Sequence, residues 1–588
     1  MAGFGVGERE TCVLDPDGYR VHLAQPLDRG GPWRSPRPGR SRTASASSVA
    51  STKMPPAARS VEDTLPVDPD AVPDVTPPTT LRGVAAEAGR VSDRARILAG
   101  TGQNVLGLAI FVLASFGMNV LIARAFGEEG RRALGVVTLA TQFAFIAGAG
   151  TRFGMDHAAV RRVAIDVGKG EAGRIGAVVS RAAAIAAAAS VAAGAAVVLG
   201  AGALSQRFAG TPREAFVAAA VALPFVALSQ VYLGATRGLK RMGPTLVVQW
   251  AGQPLLWFVL TLAAWAFSKT VTATVAAYAL SWIAATAAAA FLWRRMARPY
   301  GRMPAEPGEV RALLRFGAPR APAALLSQLL FRADYFVAYP YLAPDERGVY
   351  AAAVQVGFAL VLFLTAVSYM FSPYVADLHA RGRTEELDGL YKTITRWTVA
   401  ATIPVLLVLL VAPAQALHAF GARFETGTLA LRILLVGQLV NVGVGAAGFI
   451  LIMVGRTGWD LAIYAGSIAL DVGLALVLAP RLGIEGAAVA QAATLVASNL
   501  ARLLLVRRFV GIQPYDRRYL RLLAPAAVGG ATIAAVDALI PDAHWLVDLA
   551  AMAIVGGAAY LAVLLAVGID ARERRAALAL GGRLLHGG

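Results

Sequence analysis

The chain has 588 residues, of which 57% are hydrophobic and only 16% charged, with a mean hydropathy of +0.58. A soluble domain carries about 25% charged residues, so the composition points away from a soluble protein and towards a polytopic membrane protein. The net charge of +18, from 55 Lys and Arg against 37 Asp and Glu, would suggest nucleic acid in a soluble chain; here arginine-rich cytoplasmic loops explain it, and no nucleic-acid partner is expected.

Residues 1–95 differ from everything that follows. Segments such as Ser35-Pro36-Arg37-Pro38-Gly39-Arg40 and Pro77-Pro78-Thr79-Thr80 lack apolar periodicity and read as a disordered cytoplasmic tail. No apolar h-region is present, so this is not a secretory signal. It is either a regulatory tail or the product of a start placed upstream of the true one, with Met54 one candidate. The single cysteine, Cys12, lies in this tail, which rules out an intramolecular disulfide and speaks against a cysteine-based metal site. Neither HExxH nor a P-loop occurs, so zinc or ATP hydrolysis within the chain has no support and no cofactor is expected.

About fourteen apolar stretches follow, each long enough for a tilted transmembrane helix: 103–123, 133–151, 180–203, 214–235, 244–267, 271–293, 317–341, 349–374, 397–416, 428–453, 460–480, 484–506, 520–540 and 545–568. Lipid offers a backbone no hydrogen bonds, so the expected fold class is all-α. The connections are mostly short, which leaves no room for a soluble catalytic domain. With both termini cytoplasmic, the inside loops hold Arg161, Arg162, Lys169 and Arg174, then Arg237, Lys240 and Arg241, and further clusters down to Arg572, Arg574 and Arg575. Arg131 and Arg132 are the clearest exceptions, with single outside arginines at Arg207, Arg347 and Arg423.

A weak internal repeat divides the membrane part. Ala125-Phe126-Gly127-Glu128-Glu129-Gly130 follows span one, and Tyr341-Leu342-Ala343-Pro344-Asp345-Glu346-Arg347-Gly348 follows span seven. An offset of six spans gives two halves of parallel topology. The expected organisation is a six-helix bundle over 96–300, a second over 301–510, and two added helices with a cytoplasmic tail over 511–588.

These stretches resemble the polysaccharide flippases of the multidrug/oligosaccharidyl-lipid/polysaccharide exporter superfamily. The markers are Leu121-Ile122-Ala123-Arg124-Ala125-Phe126-Gly127; Leu314-Arg315-Phe316-Gly317-Ala318-Pro319 with Arg332-Ala333-Asp334; Ala430-Leu431-Arg432-Ile433-Leu434; and Ala479-Pro480-Arg481-Leu482-Gly483-Ile484-Glu485-Gly486. The resemblance covers roughly 96–511. It implies a non-enzymatic, alternating-access flippase in the cytoplasmic membrane that moves polyprenyl-diphosphate-linked glycans to the outer leaflet for cell-surface polysaccharide biosynthesis. The implied partners are that lipid-linked glycan, membrane lipids, and a glycan polymerase or glycosyltransferases. Alternatives are an ion-coupled multidrug exporter of the same superfamily and, less favoured, a membrane-embedded glycan polymerase or ligase, which would need a larger outside loop. Asp471 departs from the family pattern, where asparagine or another neutral residue is common.

Charge inside a membrane usually faces a bundle interior or water. Arg332 and Asp334 lie well inside span seven and, two apart on a helix, cannot pair in the usual way, so each needs another partner. Arg332 is the candidate to hold the carrier's diphosphate, because a guanidinium fork matches phosphate oxygens; an inter-helix structural pair is the alternative. Asp471, mid-span in span eleven, is the candidate coupling site for a proton or sodium ion, against a packing role. Arg124 is expected at the outer mouth of the cavity, against snorkelling to the headgroups. Asp537, in an added span, ranks lower.

Overall fold

The computed structural model describes residues 9–14, 20–25, 110–318, 320–330, 332–540 and 544–568. The chain divides into two units, Met1–Asp93 and Arg94–Gly588. In the first, strands β1 (Arg9–Leu14) and β2 (Arg20–Gln25) pair antiparallel, with Cys12 opposite His22. The rest of the expected disordered tail lies outside the described residues.

The second unit is helical throughout its described residues. Its first half contains α1 (Ile110–Ala125), α2 (Gly130–Thr151), α3 (Met155–Gly168), α4 (Ile175–Arg207), α5 (Arg213–Gly238), α6 (Gln253–Trp265) and α7 (Val271–Ala297). The second half contains α8 (Glu309–Gly317), α9 (Arg320–Leu329), α10 (Ala333–Ala338), α11 (Pro344–Gly357), α12 (Val361–Ala380), α13 (Thr384–Val411), α14 (Pro413–His418), α15 (Thr428–Val444), α16 (Ala447–Met453) and α17 (Thr457–Val510). Helices α18 (Leu523–Leu539), α19 (Trp545–Ala551) and α20 (Gly557–Val563) are appended.

Among the described residues, ten helices are long and apolar enough to cross a membrane, and Ile110–Ala125 is a shorter apolar helix. The expected number of about fourteen is therefore not reproduced by length and apolarity alone, and the differences have local causes. Span seven is broken between α9, which ends at Leu329, and α10, which begins at Ala333, with α8 preceding it. Span eight is interrupted by a single tight turn at Phe358–Leu360. Spans eleven and twelve run together as α17, folded back at Gly483, whose φ of +60° and ψ of −133° favour glycine.

Helix order places the loops around 152–174, 239–244, 298–308, 381–383, 454–456 and 511–516 at one end, rich in arginine and called here the basic end. The loops around 126–129, 208–212, 339–343 and 412–427 meet at the other. There the halves share one apolar core, built from Met118, Leu134 and Phe216 of the first and Tyr339, Leu417 and Phe424 of the second. At the basic end each half closes on its own core: Met155, Val178 and Trp293 in the first, Phe371, Tyr391 and Ile450 in the second. The first of these also takes in Leu313 of α8, so the link between halves docks on the first half.

Candidate functional site

At the shared-core end the seam is closed by side chains reaching across it. Arg131 and Arg132 both donate to Asp345, at 2.8 and 2.7 Å, and Arg423 pairs with Glu128. Tyr335 donates to the Gly135 carbonyl at 2.8 Å, and the Thr211 and Tyr339 hydroxyls meet at 2.8 Å. Arg347, nearly fully buried, donates to the carbonyls of Leu342 and Ala209 and lies 4.2 Å from the Tyr339 ring centre. Two helices touch backbone to backbone: a Cβ added at Gly348 of α11 would sit 1.8 Å from the Arg131 carbonyl oxygen. Exposed ion pairs contribute at most about 1 kcal/mol each, and the Glu128–Arg423 pair is of that kind. The shared core and this backbone contact therefore dominate the closure.

Arg124 belongs to the same closure. It donates to the carbonyls of Ala419 at 2.6 Å and His418 at 2.9 Å, and its guanidinium lies 5.4 Å from the Trp545 ring centre. His418 stacks on the other ring system of this cluster, 5.6 Å from Trp545. First half, second half and appended helices thus converge on one tryptophan.

The second half holds a buried polar cluster. Arg332 caps α10 in a non-helical conformation, φ −148° and ψ −2°, so span seven breaks where the charge sits. Asp334, in the first turn of α10, is 1% exposed and accepts from the Tyr350 hydroxyl. Asp471 of α17 is also 1% exposed and lies within electrostatic reach of Asp334, with the Asp334 backbone and the Thr494 hydroxyl as its polar neighbours. Thr494 is itself 1% exposed and has its hydroxyl towards Asp471. Packing of α10 on α17 thus unites three residues that the sequence singled out separately. With one guanidinium and two carboxylates, the cluster's formal charge is −1 in a setting where unbalanced charge costs several kcal/mol.

The Arg332 backbone N–H donates to the Leu329 carbonyl at 2.9 Å, while its side chain lines a small pocket with Gln438, Gln491, Val354 and Phe358. The pocket's walls all belong to the second half. Tyr350 and Thr494 carried no sequence signal of their own, being ordinary residues on amphipathic-looking helices. Asp537 accepts from Gln415 at 3.2 Å, which also donates to Asp548 at 2.9 Å, away from the cluster.

At the basic end, Arg162 forks onto Glu309 at 3.0 and 2.8 Å, and Arg174 pairs with Glu306 and Glu171, fixing α8 to α3. Burial raises Asp166 above the ordinary carboxylate range against the pull of Arg162, with Glu309 adding to the rise. A raised carboxylate binds its proton in the folded state first, so its cost is fully present at neutral pH and is relieved as pH falls through that raised value. Asp166→Asn is therefore expected to raise the unfolding temperature of the purified protein at pH 7.5. The gain should shrink towards pH 4 in the same thermal scan.

Residues 97–379 match the sequence family described as polysaccharide biosynthesis protein. No curated protein matches the chain in sequence. Among solved structures, the lipid II flippase MurJ in an inward closed conformation matches with a TM-score of 0.60 at 12% identity, covering 78% of this chain and 97% of that one. An inward-facing multidrug resistance MATE family transporter of the MOP superfamily matches at 0.54 and 15% identity, covering 68% and 94%. A MOP superfamily transporter from Pyrococcus furiosus matches at 0.51 and 15%, covering 70% and 95%. Residues 97–379 thus match the polysaccharide biosynthesis protein family in sequence, and the chain is a multi-pass membrane protein whose fold is that of the solved flippase and transporter structures.

Proposed function

We propose that the protein is a flippase that carries polyprenyl-diphosphate-linked oligosaccharide across the cytoplasmic membrane by alternating access. One observation carries the reading: the halves share a core and cross-seam bonds at one end and keep separate cores at the other. A pair of rigid bodies joined at one end only is one of the two states an alternating-access cycle requires. The arginine bias of the loops puts the basic end in the cytoplasm, so in this state the closed end faces outwards and a headgroup enters from inside. The membrane, lipid-linked glycan and glycan-assembling enzymes are the partners this assigns.

Arg332 with Gln438 and Gln491 offers a guanidinium and two amides in one pocket, a donor set suited to a diphosphate oxygen or a sugar hydroxyl. Asp334 and Asp471 are short of one positive charge, which a proton or a monovalent cation would supply. Taking up that charge next to Arg332 links the ion to the substrate through a shared electrostatic site. No covalent step is needed from the protein.

Reconstitution in liposomes tests the reading. Wild type is expected to translocate a fluorescent polyprenyl-diphosphate glycan. Arg332→Ala should lose about 10- to 100-fold, the ~1.5–3 kcal/mol of a hydrogen bond to a charged group. Movement of cationic dyes under an ion gradient, with no glycan carrier moved, would instead establish a multidrug exporter.

A further inference from the structure

Where the shared core ends, a groove of about 660 Å³ opens along the seam, between α2 and α4 of the first half and α9 and α10 of the second. Phe143, Gly150, Ala189, Pro322, Leu325 and Phe336 are among its walls, and among the described residues Thr151 carries the only polar side chain in the lining. From Phe143 to Phe153 the groove follows α2 for about 15 Å, half of the ~30 Å hydrocarbon thickness. It is a single slot one leaflet deep.

Its basic end is strained and charged. Phe153, part of the wall, has φ +54°, a left-handed conformation that costs a bulky residue on the order of 1–3 kcal/mol and tends to mark functional positions. The Phe153 carbonyl oxygen fits against Gly317, where a Cβ would approach it to 2.3 Å. The neighbouring residue, Arg152, has a side chain 14% exposed; it lies 3.4 Å from Asp156, and its Nε has no hydrogen-bond partner. An apolar slot whose wall includes Thr151 and Phe153, the chain neighbours of Arg152, matches an amphiphile with one hydrocarbon chain and an anionic head. Water would find almost no hydrogen-bonding partners there, and a two-chain phospholipid would need a second slot.

We propose that this groove seats the isoprenoid chain of the polyprenyl-diphosphate carrier, with its diphosphate end towards Arg152. The inference rests on the flippase reading and adds to it the place where the lipid rides: on the seam between α2 and α9, outside the pocket of Arg332. Because both halves form the walls, closing the basic end would narrow the slot and release the chain.

The test uses the full-length protein in nanodiscs of phosphatidylethanolamine and phosphatidylglycerol, with a polyprenyl diphosphate bearing a diazirine in its isoprenoid chain. Photolabel is expected on residues 143–153 and 321–336, displaced by unlabelled polyprenyl diphosphate and not by added phosphatidylglycerol. Gly150→Trp should lower it about tenfold. Ala189→Trp fills the slot from α4 and serves as the second variant should the first fail to fold. Equal displacement by phosphatidylglycerol would make the groove ordinary lipid-facing surface and overturn the proposal, as would label confined to α18–α20. A groove that labels as expected in a protein that moves no glycan carrier would keep the binding site and sink the flippase reading alone.

Discussion

Gly348→Ala is expected to hold the protein open at the end that is closed here. The new methyl would sit 1.8 Å from the Arg131 carbonyl oxygen, a backbone atom of the opposite half that no side-chain rotation can move aside. Overpacking of this kind costs about 1–3 kcal/mol and more where neither partner yields. The same change favours α11 as a helix by about 1 kcal/mol, so the penalty falls on the closed arrangement alone. A bias of ~3 kcal/mol shifts a two-state population by about two orders of magnitude. The readout is a spin-label distance between Glu129→Cys and Thr426→Cys, both exposed at this end, on a Cys12→Ser background. The distance distribution should move outwards and glycan transport should stall. Gly389→Ala, on α13 with nothing within 4 Å of an added Cβ, should change neither. A Gly348→Ala protein with the wild-type distance would show that the contact does not gate the seam.

The second large effect is expected at Asp471. Its carboxylate is buried beside a second carboxylate, with only the Thr494 hydroxyl and the Asp334 backbone as polar neighbours, so Asp471→Asn keeps an acceptor oxygen and removes a buried charge, a cost rather than a support. The variant should be more stable than wild type by about 1–3 kcal/mol, the part of a buried charge's several-kcal/mol cost that weak hydrogen bonding leaves uncompensated. Transport should nevertheless fall at least about tenfold and lose its dependence on the ion gradient. Asp334→Asn should lose transport too, without the stability gain, because Asp334 accepts from Tyr350. A packing role predicts the reverse pairing, with stability lost and transport kept. Thermal unfolding and gradient-driven transport, measured on the same preparations, separate the two.

Most of the helical body was legible because hydropathy is a local property. A run such as Val405-Leu406-Leu407-Val408-Leu409-Leu410-Val411 declares its solvent whatever surrounds it. The breaks were less legible: the one in span seven falls between Leu329 and Ala333, where no proline or glycine announces it, while the fold-back at Gly483 looks in sequence like any loop between two spans. Charge inside a span singled out Arg332, Asp334 and Asp471, since such residues are costly enough to stand out alone. That Asp334 meets Tyr350 and lies near Asp471, 137 positions along, depends on how α10 packs on α17 and has no local trace. The exceptions to the loop-charge bias proved informative. Arg131, Arg132, Arg347 and Arg423 all have partners in the seam closure. Arginines that contradict the topology signal were there for the closure, and Arg124 joins them through carbonyls that no sequence pattern reveals.

Trp545 has a consequence for how the molecule is built. It lies 421 positions after Arg124, in the last pair of described membrane helices, and it meets both Arg124 and His418. A chain made from its N-terminus inserts α1 early and must then wait for nearly all the remaining spans before that arginine finds its ring. Until then the two bundles can form, but their junction lacks its final contact. Assembly therefore has an order written into it: the halves mature first, and the last hairpin to leave the ribosome fastens them.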